Sequence, residues 1–68
     1  MIKVKILDDT GHTELKCATL EDVKKEVSER NLADKFMFVD EKFTNIVDLD
    51  GIKQIPHEIV FTERLIGG

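Results

Sequence analysis

Ile2, Val4 and Ile6 alternate with Lys3 and Lys5, and this period-two rhythm constrains the fold more than any other feature of the chain. Strict alternation at this scale predicts a half-buried strand. Asp8, Asp9, Thr10, Gly11 and His12 follow, and their Asp and Gly residues suit a tight reversal. Alternation then resumes over Thr13, Glu14, Leu15, Lys16 and Cys17. Residues 1–17 therefore read as a β-hairpin with Leu15 and Cys17 turned inward. The rhythm changes at Thr19, a good N-cap, with Glu21 and Asp22 placed where they complement a helix dipole. Leu20, Val23 and Val27 form one apolar stripe, which predicts a helix over 20–30. Glu21 with Lys25, and Glu26 with Arg30, have the favourable i,i+4 orientation on its solvent side. Asn31 suits a left-handed helix end, and Leu32 is placed to fold back on the stripe.

The second half predicts more strands. Phe36, Met37, Phe38 and Val39 are a β-prone run, closed by Asp40, Glu41 and Lys42 before a brief return at Phe43. Residues 46–52 fit either a short helical turn or an irregular crossing. A last strand is expected over 58–65, with Pro56 just ahead of it and Ile59 and Phe61 pointing inward. The order β-β-α-β-(β)-β suits an α+β fold: one mixed sheet of four to five strands with a helix packed on one face.

Size and charge restrict function. At 68 residues the chain is one domain near the lower limit for folding on a hydrophobic core alone. It has no room for a deep cleft between two lobes, which favours a carrier or binding module over an enzyme. Its 14 acidic and 10 basic residues give a net charge of −4, against a nucleic-acid partner. The apolar runs are too short to span a membrane, and no signal-peptide core is legible. Cys17 is the lone cysteine, so no internal disulfide forms and a reducing, cytoplasmic setting is expected, with the thiol serving as a small buried apolar group. His12 and His57 lack metal-ligand spacing with Cys17 and are expected to be solvated, in a turn and just before a strand. Asp48, Leu49, Asp50 and Gly51 share the composition of a calcium loop without its ligand spacing. No metal site and no bound cofactor is expected. Phe36, Phe38, Phe43 and Phe61 read as core or strand-face packing, not as a base-stacking platform.

The sequence closes on Leu65, Ile66, Gly67 and Gly68. Two glycines carry no side-chain bulk and reach unusual φ values, so such a tail can enter a narrow channel and present its carboxylate to an adenylating centre. By itself the pair is a weak signal, arising by chance in roughly one chain in two hundred. Directly after a final strand in this element order, it gains weight.

Over its whole length the chain resembles the ubiquitin-like β-grasp proteins. The residues that carry the resemblance are the Met1, Ile2, Lys3, Val4, Lys5 opening, the hairpin with Gly11, the helix, the strand and turn over 36–42, and the Arg64, Leu65, Ile66, Gly67, Gly68 ending. It is similar both to the prokaryotic sulfur carriers of the ThiS and MoaD type and to the small archaeal ubiquitin-like modifiers. The short segment between Phe43 and Pro56 matches the compact sulfur carriers better than ubiquitin. The resemblance implies a β-grasp domain over 1–65 and a flexible tail over 66–68. It implies that a partner enzyme of the ubiquitin-activating, ThiF or MoeB type uses ATP to adenylate the Gly68 carboxylate. Sulfur transfer then gives a thiocarboxylate on Gly68 for thiamine, molybdopterin or tRNA thiolation, through a sulfur-accepting enzyme. Alternatively, a thioester leads to an isopeptide bond with lysines of protein substrates. A third possibility is a β-grasp binding module that never uses its tail. Arg64, Leu65, Ile66 and Gly67 correspond to the segment an activating enzyme reads. Phe38 takes the place of the centre of ubiquitin's apolar sheet patch and Thr62 lies beside it, making both a candidate partner surface. Asp9 and Thr62 replace the flanking apolar residues, so recognition by standard ubiquitin receptors is not expected. Lys42 stands where ubiquitin has a chain-forming lysine, though a lone turn lysine is ordinarily a solvated charge. A monomer is expected.

Overall fold

The computed structural model describes residues 1–8 and 11–63. The opening alternation becomes strand β1 (Ile2–Asp8), which pairs antiparallel with β2 (Gly11–Cys17), Ile2 opposite Cys17 and Val4 opposite Leu15. Ile2, Val4, Ile6 and Cys17 are buried, and Leu15 packs at the margin of the core. Gly11 has φ +129°, a conformation L side chains rarely adopt, so glycine suits the start of the returning strand. His12 was expected in the turn and stands instead inside β2, exposed and opposite Leu7, because pairing extends out to Asp8 opposite Gly11.

Helix α1 (Leu20–Glu29) begins where the Thr19 hydroxyl accepts the Asp22 N–H at 3.2 Å. It ends through Asn31 in the left-handed region, φ 56°, which turns Leu32 back into the core at the start of a short 3-10 turn (Leu32–Asp34). Val23 and Val27 are buried against the sheet and Leu20 lies partly buried beside them. Arg30 donates to Glu26 at 2.8 Å, as its spacing predicts. The expected pair of Glu21 with Lys25 does not form. Lys24 lies 3.7 Å from Glu21 and also bonds Asp50, while Lys25 lies 3.9 Å from Glu29. The reason is tertiary: a 3-10 turn (Ile46–Gly51) brings Asp50 alongside the helix, and Lys24 faces it. The hydrogen bond to Asp50 raises the Lys24 pKa above its ordinary value. That same turn resolves the ambiguous 46–52 segment as helical, with Leu49 buried.

Strands β3 (Phe36–Val39), β4 (Lys42–Thr44) and β5 (Glu58–Thr62) complete a five-stranded sheet in the order β2-β1-β5-β3-β4. β5 runs parallel to β1 and antiparallel to β3, and β3 and β4 form a second hairpin. The fold is thus α+β: a mixed sheet with α1 over one face, and the core between them. Ile59 and Phe61 on the central β5 are fully buried, as expected. The strand ends at Thr62, since the described Glu63 is no longer part of it, short of the expected 58–65; Leu65 lies outside the described residues. Among the described residues no helix is long and apolar enough to cross a membrane.

One side chain ties the second hairpin to the central strand. Asp40 and Glu41 occupy its turn with φ 48° and 72°, the handedness a two-residue hairpin connection requires. Asp40 Oδ1 accepts the backbone N–H groups of His57 at 2.9 Å and Glu58 at 3.0 Å, while its own N–H donates to the Glu58 carbonyl. Alanine at Asp40 removes both side-chain bonds and adds left-handed strain, so Asp40→Ala is expected to cost about 2 kcal/mol. Asp40→Asn keeps an acceptor oxygen and should cost under about half of that. Urea unfolding of the two variants measures the difference; equal losses would remove the carboxylate clamp from the account.

Candidate functional site

The face of the sheet away from α1 divides into two halves. On β1 and β2 it is ionic: Lys3 and Lys5 lie 3.8 and 3.9 Å from Glu14, and Lys5 lies 3.8 Å from Glu58. These pairs are solvent-exposed and contribute little stability. Past Glu58, the same face is largely apolar on β5, β3 and β4. Phe38 stands opposite Val60 on one side and Phe43 on the other, and Phe36 stands opposite Thr62. The Phe43 ring meets Phe36 edge-on at 5.5 Å and Phe38 at 5.8 Å. Phe43 is 59% exposed, which marks this cluster as surface and not as a second core.

Register explains why the aromatics share a face. Met37 and Val39 alternate with Phe36 and Phe38, and the buried Met37 stands opposite Phe61 in the core, so the two phenylalanines must point outward. Of the four phenylalanines only Phe61 is a core residue. Phe38 and Thr62 therefore lie on one outer surface. Phe36 and Phe43 complete it, and sequence reasoning had not grouped them with Phe38. The signal was present in the period-two spacing of Phe36 and Phe38 and in the hairpin that returns Phe43 beside them. Arg64, Leu65, Ile66, Gly67 and Gly68 lie outside the described residues, as does Asp9. The last described residue, Glu63, accepts a bond from Lys35 at 3.2 Å, at the start of β3 next to Phe36. The chain thus leaves the sheet at the edge of the aromatic cluster.

Cys17 is not part of this surface. It lies in the core between β2 and α1, and burial, helped by the nearby Glu26 and Asp22 carboxylates, pushes its thiol pKa above the ordinary value. A thiol held protonated is a poor nucleophile at neutral pH.

Fold and surface together define a small α+β protein with an aromatic outer sheet face at the exit of its central strand. No protein-family model matches the chain, and no curated protein and no solved structure matches it.

Proposed function

We propose that the chain is a ubiquitin-like β-grasp carrier whose reacting group is the Gly68 carboxylate. The observation that carries this reading is the position of β5. It is a central strand, parallel to the first, and it hands the chain out beside Phe36, Phe38 and Phe43. Gly68 comes five positions after Glu63, at most about 18 Å of chain. An activating enzyme that grips the aromatic face therefore has the terminal carboxylate within reach of its own nucleotide site.

In this reading the Gly68 carboxylate attacks the α-phosphorus of ATP bound to the partner, and pyrophosphate leaves. The acyl adenylate is then displaced at its carbonyl carbon by sulfide, giving a thiocarboxylate and AMP. Adenylation replaces a poor leaving group with a good one, and the catalytic groups belong to the partner. This protein contributes an unhindered end and a docking face. Arg64, Leu65, Ile66 and Gly67 act as the tether that the partner reads.

Intact mass spectrometry of the protein from its native host tests the proposal. The expected result is a fraction carrying one oxygen-to-sulfur exchange located at Gly68. Gly-Gly remnants on lysines of other proteins would move the chemistry to conjugation instead. A chain that continues past Gly68, or an abundant protein with neither product, would end both versions.

A further inference from the structure

A cleft of about 510 Å³ lies away from the aromatic face, between the β3-β4 hairpin and residues 52–57. Its volume falls within the roughly 300–1,000 Å³ typical of binding pockets. The half-buried Val39 and Ile52 and the 65% exposed Ile55 supply apolar surface to it, over the buried Pro56. Its polar lining includes Lys42, Lys53 and His57.

Most cations among the described residues are paired, and two that are not lie at this cleft. Lys3, Lys5, Lys24, Lys25, Arg30 and Lys35 all have carboxylate partners. Lys16, Lys42 and Lys53 have none among the described residues, and the last two line the same cleft in a chain of net charge −4. The acid among the lining residues, Asp40, spends its Oδ1 on the two backbone N–H groups of His57 and Glu58. Two unpaired cations beside exposed apolar surface complement an acidic, apolar ligand.

We propose that this cleft docks an extended segment of a partner protein in which a large aliphatic or aromatic side chain lies next to one or two carboxylates. The apolar side chain covers Ile52 and Ile55, and the carboxylates face Lys42 and Lys53. A peptide fits better than a small molecule, because no polar or charged side chain among the described residues is buried to fix the orientation of a small ligand. A nucleic acid is disfavoured by the net negative charge. The proposal uses residues of 39–57 and none of the tail, so it stands or falls independently of activation at Gly68.

The test is selection from a displayed library of random peptides about a dozen residues long, panned on the full chain. Enriched sequences should combine Asp or Glu with Leu, Ile, Phe or Trp, and should shift the backbone amides of 39–44 and 52–57. The tightest synthetic peptide should bind the Lys42→Glu, Lys53→Glu double variant at least about 10-fold more weakly, and should weaken as salt is added. Lys42 and Lys53 are exposed, so the variant should keep its fold; Ile55→Ser, at another exposed position, should weaken binding without reversing charge. Lys16→Glu, away from the cleft, should leave affinity unchanged. Failure to enrich any peptide, enrichment without acidic residues, or full affinity in the double variant would overturn the proposal.

Discussion

Phe61→Ala is expected to remove about 3–5 kcal/mol of stability, the range for emptying a fully buried aromatic site. A chain of this length holds about 3–10 kcal/mol in total, so this one truncation takes the protein to the edge of unfolding. The size of the effect follows from position. Phe61 sits on the central β5, fully buried, with Ile6 on the parallel neighbour and Met37 on the antiparallel one. Strands on both flanks limit how far the site can collapse, and a cavity that cannot collapse keeps its full cost. Val60, one residue earlier on the same strand, faces the other way and is only half-buried. Val60→Ala should therefore cost about 1 kcal/mol or less. Guanidinium unfolding of the two variants measures the contrast. Similar losses from both would mean that β5 does not present Phe61 to the core and Val60 to the outside.

That contrast also shows what could be read from the sequence. Ile59 and Phe61 alternate with Val60 and Thr62, and alternation alone assigns them to opposite faces. Ile2, Val4 and Ile6 declare β1 in the same way, and Thr19 with the Val23 and Val27 stripe declares α1. Each of these signals is local, set by a repeat of two or 3.6 residues. The features that escaped are long-range. Nothing near Asp40 indicates that its carboxylate will cap the N–H groups of His57 and Glu58, 17 and 18 positions away. The exchange of Lys25 for Lys24 as the partner of Glu21 depends on Asp50, brought in by a distant turn. Residues 46–52 carry no clean period, and burial of Leu49 decides their shape. The aromatic surface lies between these cases. Phe36 and Phe38 fall on one face by alternation, but a run of four apolar residues hides which face is buried. Only the register against β5 and β4 decides it. Of the candidate site, Phe38 and Thr62 gain positions from the structure; Gly68 and its tether rest on sequence and resemblance.

Deletion of Gly67 and Gly68 should abolish thiocarboxylate formation and leave the unfolding midpoint unchanged. The two effects separate because of where the core lies. Every buried apolar side chain among the described residues falls between Ile2 and Phe61, so the deletion subtracts no described core contact. In the proposed reading the chemical loss has a steric cause. The truncated chain ends at Ile66, whose branched Cβ is stiff at χ1 and stands next to the carboxylate that must meet the nucleotide. A glycine end has no Cβ and admits backbone angles closed to isoleucine. Gly68→Ala, which adds a single methyl group, should give an intermediate rate of adenylation, read as pyrophosphate release with the partner enzyme, and Gly68→Val a rate near that of the deletion. A graded response places the reacting carbon at Gly68 in a channel that excludes side chains. If the deletion variant supported its host as well as the intact protein did, the tail would have no chemical role. The protein would then be a binding module that works through its surfaces, the aromatic face of β5, β3 and β4 among them.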